Sequence, residues 1–489
     1  MKKIFAIILT VCLMASVLCI PAFAEDSASA MVTISGLKKN GTTVGLNSWT
    51  DFAAGWEAAV DFAEDEDFME EQELVRIIVD FHGDWKANAA GEFGDSDGDG
   101  FRFSTIYVPS DTRMTLNLNG HTINRGLTEW EYDGEVICIN DDADVIINNG
   151  TITGGWSCNG AGGIHVQDGA KLELNDVHIV GNIADDDNGG GIALYDGAEL
   201  VMNGGSFRDN AVDGVTDTNL DYHGGAVYVN DSTAIFNKVE FKNNQTTSHH
   251  GYGAAIYAHD STVTVNECAF DGNGIADEDN NIYAPISVLH ATNSSLLLKK
   301  STFTNNGAKY SGTNFTYTEF SSALIFLDDA TLTMDDCKVS HNAAYRLLQA
   351  FDGDRLYISN STFTDNDSIV LHSEDHSDQS YFRSCTFNNN KVNDPSVTDN
   401  TFASIGNTLT FYDCDLGDST FYKGNLAVFV NTKAPIGAGS IFSAGSLTMI
   451  VAILALAASV SSIGISFALY QKKAVPASAN DTADSNSED

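Results

Sequence analysis

Two stretches of the sequence share one pattern although most of their letters differ: GGAVYVNDSTAIFNKVEFKNN, from Gly224 to Asn244, and GAAIYAHDSTVTVNECAFDGN, from Gly253 to Asn273. Each closes with an apolar residue, two variable residues and an asparagine. This ending recurs with successive asparagines 24 to 36 residues apart, at Asn182, Asn210, Asn244, Asn273, Asn306, Asn342, Asn366 and Asn390. Repetition at this spacing is typical of a solenoid, in which the shortest spacing is one coil and the excess is loop.

Within each unit, apolar and polar residues alternate, which indicates β-strands and not helices. The sequence predicts three short strands per unit, forming a triangular coil. Stacked coils pair their strands in parallel at about 4.8 Å and bury columns of apolar side chains. We expect a column of asparagines in left-handed turns, with amides bonded from coil to coil. We also expect a column of phenylalanines formed by Phe207, Phe241, Phe270 and Phe303.

Two motifs carry a resemblance to known families. The stretch LNLNGHTI, from Leu116 to Ile123, resembles the first coil of right-handed parallel β-helices in the pectin-lyase-like superfamily. The pairing of GGAVYV with FKNN is similar to the repeats of polymorphic outer-membrane proteins and related adhesins. The resemblance implies a right-handed parallel β-helix over residues 106–430. It implies no single function, because this scaffold serves lyases, hydrolases, adhesins and structural stalks.

Residues 25–105 are predicted to form an N-terminal capping region. Within SWTDFAAGWEAAVDFA, Phe52, Trp56 and Val60 recur every four residues, which predicts an amphipathic helix. We expect this helix to cover the open first coil, where unpaired strands would invite aggregation. The run VRIIVDF, from Val75 to Phe81, predicts a strand.

Apolar segments at both ends of the chain predict export and anchoring. Residues 1–24 have the form of a signal peptide, with two lysines, an apolar run and an Ala-Phe-Ala ending. Residues 447–469 are apolar and uncharged, long enough to span a bilayer as one helix, and two lysines follow them closely. The sequence therefore predicts a single-pass protein of the bacterial cell membrane with an extracellular N-terminal ectodomain. A stem over 431–446 and a cytoplasmic tail over 470–489 complete this organisation.

The chain is strongly acidic, with 67 Asp and Glu against 25 Lys and Arg and a formal net charge of −42. Loss of the predicted signal peptide removes two lysines and takes this charge to −44. Such a surface repels nucleic acid and anionic lipid and attracts cations.

Six cysteines lie outside the predicted signal peptide and form no CxxC pair, which argues against a disulfide framework and against a zinc site. Four of them share one position of the repeat with Ser301 and Ser361, which predicts buried, unreactive thiols in a column of small residues. These four are Cys268, Cys337, Cys385 and Cys414. Cys385 and Cys414 fall in adjacent coils, and whether they are bonded stays open.

The stretch DSDGDG is a candidate metal site. Asp95, Asp97 and Asp99 alternate before a glycine, as in the opening of a calcium loop. The twelfth position, which needs a bidentate acid, holds Ile106. A Ca²⁺ loop and a solvated acidic loop therefore both stay open.

Two further acidic runs follow the asparagine repeat and so share one loop edge of the solenoid. They are predicted to form a ligand-binding ledge whose oxygens contact sugar hydroxyls or Ca²⁺. The ledge consists of Asp185, Asp186, Asp187, Asp277 and Asp279.

These features favour binding, adhesion or structural display toward glycans or neighbouring cells, and no catalytic residue is identified. The alternative is an extracellular polysaccharide lyase or glycoside hydrolase. A lyase needs a basic residue beside its metal-holding carboxylates, and neither acidic run contains one. A hydrolase needs paired carboxylates, and the GHG and RIK motifs of polygalacturonase-like enzymes are missing. Ca²⁺ is the one cofactor suggested.

Overall fold

One compact unit contains every residue that the computed structural model describes. These residues are 30–87, 101–102, 105–213, 222–246, 251–274, 287–307, 323–344, 346–351, 353–374, 376–377, 379–391, 401–405, 408–421 and 426–433. The predicted signal peptide, most of the stem, the apolar segment 447–469 and the tail lie outside this set. Neither helix of the described chain is long and apolar enough to cross a membrane.

The described chain is an all-β parallel solenoid, as the repeats predict. Each coil contributes to up to four faces, which we number in chain order. Faces one and two belong to one 24-stranded sheet, face three is a 4-stranded sheet and face four is a 12-stranded sheet. Two long strands run through both faces one and two, and Asp176 (φ +50°) lies in the second of them between its two paired segments.

Face one carries the strands with the alternating Leu, Val and Met residues. Its strands are Arg113–Asn117, Asp144–Thr153, Lys171–Val180, Glu199–Asn203, Thr233–Asn237, Thr262–Asn266, Ser295–Lys299, Thr331–Asp335, Arg355–Ser359, Tyr381–Arg383, Thr408–Tyr412 and Leu426–Val430. Face two carries the repeated phenylalanines. Besides the two long strands, it contains Thr122–Asn124, Ser206–Arg208, Glu240–Lys242, Ala269–Asp271, Thr302–Thr304, Lys338–Ser340, Thr362–Thr364 and Thr386–Asn388.

Face three is a short addition to the predicted triangular coil and follows the asparagine repeat. Its strands are Trp156–Ser157, Ile183–Asp185, Ala211–Asp213 and Gln245–Thr246. Face four closes each coil. Its strands are Phe101–Arg102, Thr105–Val108, Ile137–Ile139, Ile164–Val166, Ile192–Leu194, Val227–Asn230, Ile256–His259, Ser287–Thr292, Ala323–Asp328, Arg346–Ala350, Ile369–Glu374 and Phe402–Ile405.

The predicted phenylalanine column is confirmed. Phe207, Phe241, Phe270 and Phe303 are fully buried, and successive ring centroids lie 5.1, 4.6 and 4.6 Å apart. The rings of Phe241 and Phe270 are almost parallel, at 3°. Each buried ring contributes about 1.5–3 kcal/mol by removal of apolar surface from water. This column therefore fixes the register between coils as well as filling the core.

The predicted asparagine ladder is also confirmed, but its backbone differs from the prediction. From Asn182 to Asn390, each amide nitrogen donates to Oδ1 of the next asparagine at 2.7–3.1 Å. The left-handed residue is the one before each asparagine, such as Asp209 (φ +54°) or Asn243 (φ +53°). That preceding residue makes the turn, which leaves the asparagine free to direct its amide into the core.

The second glycine of the GGA motif has a steric cause at the start of face four. A Cβ on Gly190 would overlap the carbonyl oxygens of Ala211 and Gly225, and one on Gly225 would overlap those of Gln245 and Ala254. Neighbouring coils therefore approach each other closely at these two glycines.

The four cysteines of the predicted column are buried free thiols. Ser301 Oγ accepts from the Cys268 backbone N–H at 3.1 Å, and Ser361 Oγ accepts from that of Cys337 at 3.1 Å. Burial raises the pKa of Cys268 to about 11 and likewise that of Cys337. Small size and backbone hydrogen bonding account for this column.

The N-terminal region carries both helices, Phe52–Glu64 and Glu66–Glu71. The first begins after Asp51, whose carboxylate accepts from the Ala54 N–H at 3.0 Å. It buries Trp56 and packs Phe52 on Phe81, with ring centroids 5.2 Å apart. The strands of this region are Val32–Lys38, Thr43–Trp49, Leu74–Phe81 and Trp85–Lys86.

The helix lies where the sequence predicts one. It packs on the strand Leu74–Phe81, which pairs in parallel with Arg113–Asn117 of the first coil. Parallel pairing of the solenoid thus begins before residue 106 and includes the capping region.

Candidate functional site

The predicted ledge residues Asp185, Asp186 and Asp187 lie where face three turns toward face four. Asp185 ends the strand Ile183–Asp185, and Asp186 adopts a left-handed conformation at φ +54°. All three side chains are half-buried. The other predicted site residues lie outside the described chain: Asp95, Asp97, Asp99, Asp277 and Asp279.

The ledge carboxylates hold the neighbouring coil in place. Trp156 Nε1 donates to Asp185 Oδ2 at 3.1 Å. The Gly160 N–H donates to Asp187 Oδ2 at 2.6 Å, and the Asn188 N–H donates to Asp187 Oδ1 at 2.7 Å. Burial raises the pKa of Asp185, and the hydrogen bond from Trp156 opposes this effect. These acids are therefore ordered by the protein and do not simply extend into solvent.

Two more carboxylates join the ledge from the preceding coil. Asn159 Nδ2 donates to Asp133 Oδ1 at 2.7 Å, and Ser157 Oγ donates to Glu135 Oε2 at 3.1 Å. Burial raises the pKa of Glu135 to about 8, Asp133 adds to this rise, and the Ser157 hydrogen bond opposes it. We call this group of five acids the acidic corner: Asp133, Glu135, Asp185, Asp186 and Asp187.

A buried arginine lies behind the acidic corner. The side chain of Arg125 is 2% exposed. Burial lowers the pKa of Arg125, whereas Glu135 and Glu131 raise it. This guanidinium compensates part of the buried acid charge but is not exposed to a ligand.

Exposed aromatic side chains form the rim of the corner. Trp130 and Tyr132 are 58% and 57% exposed, which singles them out among the large apolar side chains of the described residues. The backbone of Glu131, the residue between them, bonds to face three: the Glu131 N–H donates to Trp156 O at 3.0 Å, and the Cys158 N–H donates to Glu131 O at 3.1 Å. These bonds fix the loop that presents the two exposed aromatic rings beside ordered carboxylates.

A second aromatic feature, the aromatic column, runs along the outside of face four. Successive ring centroids are 4.6–5.5 Å apart. It consists of His165, Tyr195, Tyr228, Tyr257, His290 and Phe326. The rings of Tyr228 and Tyr257 are nearly parallel, at 5°, so neighbouring rings cover each other's faces. The column therefore stabilises face four. Because the ring faces are covered by neighbouring rings, mainly the ring edges remain for contact with a ligand.

The aromatic column meets the acidic corner at Tyr195. Burial raises the pKa of Tyr195 well above its ordinary value, and the charge of Asp187 adds to this rise. Burial lowers the pKa of His165, while Asp187 and Asp133 oppose it. Near neutral pH the corner therefore combines a neutral phenol and a neutral imidazole with its carboxylates.

Comparison with known proteins agrees with this architecture. The family model described as the right handed beta helix region matches residues 92–273 and 266–416, which together cover more than half of the 489 residues. The chain belongs to the right-handed β-helix family. No curated protein and no solved structure matches it. Membership of the right-handed β-helix family accounts for the coils. It does not specify a function, because this fold carries many different sites, and the acidic corner is the candidate site of this chain.

Sequence reasoning missed several members of this β-helix site. The stretch LTEWEYDGE, which contains Trp130, Tyr132 and Glu135, places two aromatics in an acidic loop between the first coils. Comparing loop compositions between repeats would have singled it out. The proximity of Asp133 to Asn159 depends on how two loops from adjacent coils fold over face three, and no local pattern encodes that.

Proposed function

We propose that this protein is a membrane-anchored cell-surface β-helix that binds glycans at the acidic corner. One observation carries the proposal: Trp130 and Tyr132 are more than half exposed beside carboxylates whose positions are fixed by hydrogen bonds. Trp130 and Tyr132 supply exposed apolar area rimmed by polar groups, a kind of surface that marks binding sites. Their rings supply flat apolar area, and carboxylate oxygens accept hydrogen bonds from sugar hydroxyls.

The charge of the corner restricts the glycan class. Five carboxyl groups gather here, and the nearby Arg125 is 2% exposed. A uronate polymer would bring further negative charge toward a chain of net charge −42. The favoured ligands are therefore neutral glycans or glycans with amino groups.

The placement at the cell surface rests on the sequence ends. Residues 1–24 fit a signal peptide. Residues 447–469 carry no charge and are followed by Lys472 and Lys473, which favours a single span with its end in the cytoplasm. A solenoid between these segments would display its faces outside the cell.

An extracellular polysaccharide lyase or glycoside hydrolase is the second candidate, and Glu135 is the observation that favours it. With a pKa of about 8, this carboxyl keeps its proton at neutral pH, as a general acid must. Its side chain is only 3% exposed, however, and Arg125 is buried with it. A sugar cannot approach this acid without rearrangement, so binding is the better-supported function.

A glycan array probed with the full-length chain in detergent separates these functions. We expect binding to neutral or amino-containing glycans, with no release of sugar ends. A bound glycan that gains reducing ends or unsaturated uronates, and does so less with Glu135→Gln, would establish the enzyme instead. An array without any bound glycan would refute the binding proposal.

A further inference from the structure

Three side chains of different chemistry meet at the first coils of face four. Glu135, Cys138 and His165 each present one potential ligand atom, and these atoms all lie within 4.8 Å of one another. Cys138 and His165 are directly paired on the adjacent strands Ile137–Ile139 and Ile164–Val166. The residues on either side of them point into the core, which directs the thiol and the imidazole to the outer surface of face four.

Glu135 reaches the same place from the turn before its strand. Its side chain is 3% exposed, and that of Cys138 is 4% exposed. Burial removes both groups from water, and a bound cation would compensate the negative charge that each group carries once it loses its proton.

We propose that Glu135, Cys138 and His165 bind a Zn²⁺ ion. Carboxylate oxygen, thiolate sulfur and imidazole nitrogen are the three ligand types that zinc accepts, whereas Ca²⁺ and Mg²⁺ require oxygen. Zinc bonds of about 2.0–2.3 Å place tetrahedral ligand atoms roughly 3.3–3.7 Å apart. Ligand atoms within 4.8 Å thus need to close by about 1.5 Å or less, which side-chain rotation supplies.

Neighbouring groups are positioned to orient these ligands. Ser157 Oγ donates to Glu135 Oε2 at 3.1 Å, and Gln167 Nε2 donates to Cys138 Sγ at 3.5 Å. Donors of this kind stabilise the negative charge that a carboxylate and a thiolate carry toward a metal. Binding would release the proton of the Cys138 thiol and the proton of the Glu135 carboxyl, and the two resulting ligand charges would balance the ion.

The proposal goes beyond glycan binding and does not depend on it. It also departs from the sequence expectation of no zinc site, which considered only closely spaced cysteine pairs. Three protein ligands leave the fourth tetrahedral position for a water molecule. The ligands come from two coils, so their proximity follows from the strand register and not from local spacing.

The full-length chain in detergent, freed of metal by a chelator, provides the test. Titration with Co²⁺ reports a thiolate ligand through a sulfur-to-cobalt charge-transfer band, and Zn²⁺ competition gives the affinity. We expect one equivalent of Co²⁺ with that band, which Zn²⁺ abolishes. Cys138→Ser should lose the band, and Glu135→Gln and His165→Ala should weaken Zn²⁺ binding at least about tenfold.

Cys158→Ser is the matched control, because Cys158 is half-buried in the same region but does not belong to the ligand group. It should keep the band and the affinity of the parent. Circular dichroism checks that each variant retains its β-structure, and if Cys138→Ser does not fold, the spectrum of the parent decides. A parent without the charge-transfer band, or equal Zn²⁺ affinity in Cys138→Ser and Cys158→Ser, overturns the proposal.

Discussion

The side-chain amide of Asn244 donates to Oδ1 of Asn273, one coil further along, at 2.9 Å. The same nitrogen donates to Phe207 O at 3.0 Å, and Oδ1 of Asn244 accepts from Nδ2 of Asn210 at 3.0 Å. One buried side chain thus connects three coils. Because every donor and acceptor in the ladder has its partner inside the protein, removal of one member leaves several polar groups unsatisfied.

Asn244→Ala should therefore lower the free energy of unfolding by about 3 kcal/mol or more, at about 1–3 kcal/mol per unsatisfied buried group. The matched control is Asn237→Ala in a second, outer ladder, where Asn237 Nδ2 donates to Asn203 Oδ1 at 3.0 Å and is partly exposed. Water can replace that bond, so the loss should stay below about 1 kcal/mol. Equal losses in denaturant titrations would show that burial does not strengthen the inner ladder.

Phe241→Asp should destabilise the solenoid by about 5 kcal/mol or more, because it places a carboxylate between the buried rings of Phe207 and Phe270. Phe241→Leu keeps the site apolar and should cost about 1.5 kcal/mol. Thermal melting of the two variants measures the difference. A melting curve of Phe241→Asp that coincides with that of the parent would contradict the observed register.

Stability should fall as the pH rises from about 4 to 7, in part because of Asp354. This side chain is fully buried, and burial raises the pKa of its carboxyl from 3.8 to about 7. The folded state therefore holds a proton that the unfolded state releases above about pH 4, so the stabilisation diminishes until about pH 7 and stays constant above it. The expected contribution is on the order of 2–4 kcal/mol.

Asp354→Asn should flatten this dependence, because the amide has no proton to lose and keeps one acceptor oxygen for the Ala330 N–H. Asp336→Asn, at an exposed position of the preceding coil, is the control and should keep the slope of the parent. Urea titrations at several pH values provide the measurement. If the free energy of unfolding depends on pH in the same way in the parent and in Asp354→Asn, Asp354 is not the cause of the dependence.

Ending the chain at Ser440 should release the protein into the medium, because this deletion removes residues 447–469. Ending it at Lys473 removes only part of the predicted tail, and that protein should stay with the membrane fraction. Immunoblots of the medium and membranes compare the two. A Ser440 product that remains on the membrane would reveal another attachment.

The sequence predicted the fold because the information is repeated in it. Phe241 and Asn244 recur with the same separation in neighbouring units, so their inward columns follow from the pattern alone. The left-handed position was misplaced by one residue, since most residues before the ladder asparagines are Asp, Asn or Gly, which tolerate that conformation as asparagine does.

The site was harder to predict, because it is built from what does not repeat. Asp185 and Asp187 were recognised as a loop run, but their bonds to Trp156 and Gly160 depend on the packing of one coil on the next. Because of these contacts, replacing Asp185, Asp186 and Asp187 should loosen the loop around Gly160 as well as weaken ligand binding.

Glycan binding at the acidic corner is tested most directly by the affinity for the glycan that binds best on the array. This affinity is measured for the full-length parent and for its Trp130→Ala and Tyr132→Ala variants. We predict that each substitution weakens binding at least about tenfold, or about 1.4 kcal/mol, without a change in melting temperature. Tyr357→Ala, an aromatic substitution on face one, should bind like the parent. Unchanged affinity in both corner variants would contradict glycan binding at the acidic corner.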